Sequence, residues 1–182
     1  MTHTHKIQYP TLETERLLIR ELTLKDAPEV YRHFRDSEVT RFMDIEPCKD
    51  LKEAEEIIGF HVEDSGTRWG VIDRDAGDFM GTCGYHCWYM DEKRAELGFD
   101  LSPGYWGKGF MFEALEPVLR FAFTQMGLER IEATVEPANR RSLALLNRCS
   151  FIQEEELREG LIYLYLPKDR WEATAKDDQH DS

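Results

Sequence analysis

The chain is short of cysteine, of positive charge and of long apolar runs, and each shortage closes off a class of protein. Cysteine occurs four times in 182 residues, at Cys48, Cys83, Cys87 and Cys149. That is too sparse, in a chain long enough to bury its own core, for a disulfide framework of the small secreted kind. No apolar stretch approaches the roughly 20 residues of a membrane helix, and Met1 to Lys6 lacks the apolar core of a signal peptide. These absences predict a cytoplasmic protein with reduced thiols and no membrane partner. Lysine and arginine number 23 against 36 aspartates and glutamates, a formal net charge of -13. A basic footprint is therefore missing, and nucleic acid is excluded as the main partner. An acidic surface suits a cationic partner such as an amine, although net charge bears first on solubility and steering.

Two nucleotide signatures are missing as well. No G-x-x-x-x-G-K-[ST] string occurs, and Gly107-Lys108-Gly109 is followed by Phe110, Met111 and Phe112 rather than by the third glycine of a dinucleotide fold.

What is present is a folded domain, since 41% of the residues are hydrophobic. Strands are predicted at residues 16–21, 68–73, 79–90, 95–101 and 131–135, with a hairpin of 151–157 and 161–166 around Glu159-Gly160. Helices are predicted at 24–36, where Ala27, Val30, Tyr31 and Phe34 share a face, and at 51–62, with Leu51, Ala54, Ile57, Ile58 and His61 in period. A third runs from residue 110 to about Gly127, a good C-cap, with a bend expected at Pro117. A fourth spans 139–149. The polar tail after Trp171 is expected to be loose. The order predicts one α+β domain over residues 10–172, with 173–182 as a polar tail.

The segment Tyr105-Trp106-Gly107-Lys108-Gly109-Phe110-Met111 joins a strand to a helix. It can be a turn that merely starts the helix, or an anion cradle. A helix N-terminus offers unpaired N–H groups and partial positive charge, its glycines let a ligand approach the backbone, and Lys108 adds a cation. A pyrophosphate fits this better than a single carboxylate. Cys83-Gly84-Tyr85-His86-Cys87 invites a metal reading, but strand alternation puts Cys83 and Cys87 on one face and His86 on the other, and zinc needs more converging ligands. Ordinary strand packing and no metal are expected there.

Several segments together resemble the GNAT N-acetyltransferases, especially the branch that acetylates the N-termini of ribosomal proteins. The resemblance rests on Leu12 to Arg20, Ala95-Glu96-Leu97-Gly98-Phe99, Tyr105 to Gly109, Glu113-Ala114, Asn139-Arg140-Arg141-Ser142 and Phe151. It covers the chain from about Leu12 to Trp171. The family's loop pattern Q/R-x-x-G-x-G/A lies over Trp106 to Met111. Trp106 replaces the Gln or Arg, Met111 the small residue, and Phe112 stands where Thr is usual.

The resemblance implies a mixed, mostly antiparallel seven-stranded sheet whose central strands splay, flanked by helices. It implies acetyl-CoA as co-substrate, its pyrophosphate on the amides of Trp106, Gly107, Lys108, Gly109, Phe110 and Met111. The pantetheine arm would enter between the strands at 95–101 and 131–135, near Phe99, Leu101 and Asn139. Glu96 is the candidate general base, or else a strand carboxylate paired with Arg94 or another cation. Ser142 either donates a proton to the departing sulfur or serves only in the helix start capped by Asn139. Many relatives carry a tyrosine where Leu146 stands. Arg140, Arg141 and Arg148 either meet phosphates or form surface salt bridges. Tyr163 and Tyr165 are expected in the core or the acceptor-pocket wall. The expected activity is acetyl transfer to a primary amine, first a peptide or protein N-terminal α-amine, by direct attack in a ternary complex. A small-molecule amine acceptor, or a non-catalytic acyl-CoA sensor on the same fold, are the alternatives. The oligomeric state, a homodimer included, stays open.

Overall fold

The computed structural model describes residues 9–63 and 67–178. Met1 to Lys6 and the side chain of His61 lie outside the described residues. Among the described residues eight strands form one sheet: β1 (Leu12–Glu13), β2 (Leu17–Glu21), β3 (Thr67–Asp73), β4 (Phe79–Tyr89), β5 (Arg94–Leu101), β6 (Arg130–Val135), β7 (Ile152–Gln153) and β8 (Ile162–Pro167). Their order is β1-β2-β3-β4-β5-β6-β8-β7. Only β5 and β6 run parallel; every other neighbouring pair is antiparallel. The helices are α1 (Ala27–Phe34), α2 (Ser37–Thr40), α3 (Leu51–Glu63), α4 (Phe110–Thr124), α5 (Arg140–Arg148) and α6 (Lys168–Asp178).

Alternation along the strands divides the core in two. Leu17, Ile19, Trp69, Val71, Cys83, Tyr85, Ala95 and Leu97 point to the face covered by α4, whose Leu115, Val118 and Ala122 are fully buried there. Trp69, Tyr9 and Phe121 meet edge-on or tilted, with centroids 5.5 to 5.7 Å apart, and the Trp69 indole N–H donates to the Pro10 carbonyl at 3.1 Å. The opposite face carries Ile72 and Phe79, against which Val30 and Phe34 of α1 and Ala54 and Ile58 of α3 pack. Each such fully buried side chain contributes about 1.5–3 kcal/mol, so both layers are needed to offset the entropy of ordering the chain.

Three expectations change. The sheet has an eighth strand, β1, only two residues long and so without a periodic signal. β7 stops at Gln153: the Glu154 N–H makes one further bond to the Tyr163 carbonyl at 2.9 Å and residues 155–157 are not in a strand, although the chain still returns through a tight turn at Glu159 and Gly160, both left-handed. The segment after Trp171 is helical to Asp178 rather than loose, because Trp171 stacks on Phe123 at 5.0 Å and anchors α6 to α4. Helix α4 runs through the buried Pro117 without interruption. Beyond Gly127 the Leu128 N–H folds back on the Ala122 carbonyl at 3.1 Å.

Candidate active site

The parallel pairing of β5 with β6 holds only at Arg94, Ala95 and Glu96, opposite Arg130, Ile131 and Glu132. Beyond that point Leu97–Leu101 continues beside β4 and Ala133–Val135 beside β8, with no pairing between them. The sheet forks, and the fork opens into a cleft of about 1620 Å³. One end reaches the loop before α4; the other reaches α2 and α3.

The loop end is built on backbone. Gly107 and Gly109 have φ of 73° and 78°, the left-handed region that costs other residues about 1–2 kcal/mol. Gly109 is the N-cap of α4, so the first N–H groups of that helix have no helical acceptor, and Phe110, Met111 and Phe112, which carry them, line the cleft. The Trp106 indole N–H donates to the Leu101 carbonyl at 2.7 Å. That contact ties the loop to the forked strand and engages one of the backbone groups otherwise expected to pair with pantetheine. Lys108 folds its ammonium onto the Gly104 carbonyl at 3.2 Å. Arg16 braces the loop from behind: it donates to the Lys108 carbonyl at 3.2 Å and lies over Phe110 at 4.2 Å. Its guanidinium also pairs with Glu113 at 2.8 Å, and Thr14 donates to the same carboxylate. Burial pushes the Glu113 carboxyl up, but Thr14 and Arg16 outweigh it and hold it below the usual range.

Glu96 sits at the crotch of the fork. Its partner is not Arg94, which pairs with Glu92 and Glu132 instead. Glu96 accepts from the Thr134 hydroxyl at 2.8 Å and lies 3.5 Å from His86 Nε2. His86 holds its carboxyl below the usual value; burial pushes the other way, and Thr134 adds to the lowering. Cross-strand register makes this meeting: on one face of the sheet Thr82 lies opposite Asp100, Gly84 opposite Gly98 and His86 opposite Glu96. Gly98 leaves the floor low between the two polar pairs, since a Cβ there would stand 3.2 Å from the His86 ring and 3.3 Å from Arg68.

Strand alternation fails one residue further on. A register shift lies between His86 and Tyr89, and Cys87 has φ 48°. The expectation that Cys87 shares a face with Cys83, away from His86, is therefore corrected. Cys83 is fully buried, whereas Cys87 is exposed, and His86, Cys87 and Glu96 bring their donor atoms within 4.8 Å of one another.

The α5 wall faces the fork. Asn139 caps α5, its Oδ1 accepting from the Ser142 N–H at 3.3 Å, and both residues line the cleft. Leu146 is fully buried and offers no acid. Arg141 lies over Trp106 at 3.4 Å and Arg148 over Phe112 at 4.0 Å. No ion pair among the described residues engages Arg140, Arg141 or Arg148, so two cations flank the loop with their charge uncommitted to a carboxylate. Tyr163 is buried beside Tyr165, its hydroxyl accepting from Arg130 at 2.7 Å, and neither lines the cleft.

Sequence reasoning missed a buried polar network under the far end. Asp100 accepts from Arg68 at 2.8 Å, from the Thr82 hydroxyl at 2.6 Å and from the Thr82 N–H at 3.0 Å. His33 of α1 bridges it at 2.5 Å to Ser102 at 2.7 Å. Burial raises the Asp100 carboxyl, but His33, Arg68 and Thr82 overcome that and hold it below the usual value. Arg68 and Asp100 both line the cleft.

A forked mixed sheet, a backbone cradle at a helix N-terminus and a carboxylate at the crotch define an acyl-CoA-dependent acyltransferase. The model of the acetyltransferase (GNAT) domain matches residues 16–152, and the chain belongs to that family. Sequence relatives include the uncharacterized N-acetyltransferase p20 of Bacillus licheniformis, 39% identical over 82% of this chain and 86% of that protein. The ribosomal protein uS5-alanine N-acetyltransferase of Escherichia coli is 31% identical over 57% of this chain and 54% of its own. Among solved structures, spermidine N-acetyltransferase of Vibrio cholerae, in complex with CoA and spermine, superposes with a TM-score of 0.78 over 87% of this chain and 99% of that one, at 21% identity. The protein is an acetyl-CoA-dependent N-acetyltransferase. Among the described residues no helix is long and apolar enough to cross a membrane.

Proposed function

We propose that the enzyme acetylates the α-amine at the N-terminus of a peptide or protein, by direct attack on acetyl-CoA bound in the fork. The state of Glu96 carries this reading. A carboxyl held below its usual value is a weak base, and the acceptor must be easy to deprotonate. At pH 7 an α-amine is about one-tenth neutral, whereas a lysine amine is neutral in about one molecule in 2,500. That gap of more than a hundredfold favours an α-amine where the base is a carboxylate held below its usual value.

The amine nitrogen attacks the thioester carbonyl, and the nitrogen's surplus proton passes to Glu96. The C–S bond then breaks, leaving the N-acetyl product and the CoA thiolate. Ser142, on the cleft wall, relays a proton to the thiolate and regains one from water, so that the thiol forms and the hydroxyl is restored. A thiol of pKa about 8.5 leaves readily enough that this donation assists rather than decides the rate. Arg141, Arg148 and the amides from Trp106 to Met111 hold the phosphates, while Phe99 and Asn139 guide the arm. The catalytic domain is read as residues 10–172. The E. coli relative, which by name acts on an alanine of a ribosomal protein, supports an α-amine.

A second reading has its own observation. Glu38, Asp44, Glu46, Glu53 and Glu56 rim the end of the cleft away from the loop, which suits a small polycation. Exposed Ile45 and Phe60 at the same end suit the side chains of a peptide. Incubation with acetyl-CoA and three acceptors separates the two: a peptide with a free N-terminus, the same peptide blocked at its N-terminus but carrying a lysine, and spermidine. Thiol release and product mass should show one acetyl group on the free N-terminus and at least tenfold slower reaction with the other two. Faster turnover of spermidine than of the free peptide overturns the α-amine reading.

A further inference from the structure

We propose that His86 Nε2, the Cys87 thiolate and a Glu96 carboxylate oxygen form a three-ligand site for a zinc ion, open to the cleft at its fourth position. Ordinary strand alternation would send His86 and Cys87 to opposite faces. Here the left-handed backbone at Cys87 and the adjoining register shift turn both toward Glu96. The three donor atoms lie within 4.8 Å of one another. Zn–N and Zn–O bonds of about 2.0–2.2 Å at a tetrahedral angle require nitrogen and oxygen about 3.4 Å apart. His86 Nε2 and Glu96 Oε1 are 3.5 Å apart.

The donor set selects the metal. Imidazole, thiolate and carboxylate suit zinc, whereas magnesium and calcium take oxygen ligands. Three protein ligands leave one position for water or an incoming group, the pattern of an open rather than a closed zinc site. The Thr134 hydroxyl, donating to Glu96 at 2.8 Å, orients the carboxylate as an outer-sphere partner would. Cys83 takes no part, being fully buried. The ion is not required for acetyl transfer. By taking the Glu96 carboxylate it withholds the base, so zinc acts as a reversible inhibitor; this consequence, unlike the binding, rests on the function proposed above.

The test uses the full chain, stripped with a chelator and titrated with cobalt(II) and then zinc. Cobalt should bind at one equivalent through this site and give a thiolate-to-metal charge-transfer band in the near ultraviolet. Zinc should abolish that band. Cys87→Ser should lack the band, and zinc affinity, measured by competition with a chromophoric chelator, should fall at least about tenfold in both Cys87→Ser and His86→Ala. His3, His5 and the other cysteines are common to all variants, and thermal melting confirms that each variant is folded. A band that survives in Cys87→Ser, or a zinc affinity unchanged in folded His86→Ala, overturns the site. Zinc binding that depends on both residues but leaves turnover untouched sustains the site and counts instead against Glu96 as the base.

Discussion

Asp100→Ala will lower the stability of the fold by about 3–5 kcal/mol, the cost of stranding a buried charge whose partner is removed. For a chain of this length that is a fall in melting temperature of about 10 °C. The side chains of His33, Asp100 and Arg68 are 0%, 4% and 10% exposed, so losing the carboxylate strands groups that are largely withdrawn from water. Arg68 already leaves its Nε without a partner, and without Asp100 its guanidinium would keep the hydrogen bond to the Thr82 hydroxyl alone. An exposed pair gives the contrast. Arg120 and Glu116 on α4 are 59% and 60% exposed, and breaking them should cost no more than about 1 kcal/mol.

The same network sets the direction of acid sensitivity. Asp100 is held below the usual carboxyl value in the folded chain, as are Glu113 and Glu96. In the unfolded chain such carboxyls take up their protons near about pH 3.9–4.3. Below that range the unfolded state therefore binds more protons than the folded one. Their stabilisation is complete above the range and is lost as pH falls through the lower folded values. Chemical denaturation of Asp100→Ala against pH should show a shallower acid limb than the parent. An acid limb of unchanged slope, or a loss of stability under 1 kcal/mol, would contradict this account of the network.

Glu96→Gln is expected to lower kcat by about 10²-fold, at the lower end of what a general base supplies, because the base is weak and the α-amine partly deprotonates itself. Acetyl-CoA affinity should hardly change, since the phosphate contacts lie at the loop. In both proteins kcat/KM should climb with pH as the acceptor amine loses its proton, at about 7.7–8.0. The two curves should stay roughly parallel through the neutral range. His86→Ala is a useful companion. It removes the largest influence lowering the Glu96 carboxyl, and so should strengthen the base while loosening its position. A Glu96→Gln enzyme with parental kcat would reduce Glu96 to a strand carboxylate held by Thr134.

The local geometry at the loop end of the cleft was legible in the sequence because its determinants are local. Gly107 and Gly109 mark left-handed turns, and Asn139 caps a helix whose third residue is Ser142. What was not legible depends on register and distance. The approach of His86 and Thr134 to Glu96 requires the pairings of β4 with β5 and of β5 with β6, together with the point where the latter fails. The Asp100 network joins residues 67, 32 and 18 positions apart, and no local spacing announces it. Cys87 was misplaced because one left-handed residue inverts the face of everything beyond it. Helix α6 was missed because its sequence is polar and one aromatic, Trp171, supplies its anchor.

The loop and the acceptor rim are opposite ends of one cleft, and the account requires that donor and acceptor occupy it together. A conjugate in which the CoA sulfur is joined through an acetyl carbon to the α-nitrogen of a short peptide spans both ends. It should inhibit competitively against acetyl-CoA and against the peptide acceptor, and bind at least about a hundredfold more tightly than CoA alone, as expected when two sites are linked at the right span. A conjugate that binds no better than CoA, or that fails to compete with the peptide, would contradict direct transfer to an α-amine in the fork between β5 and β6.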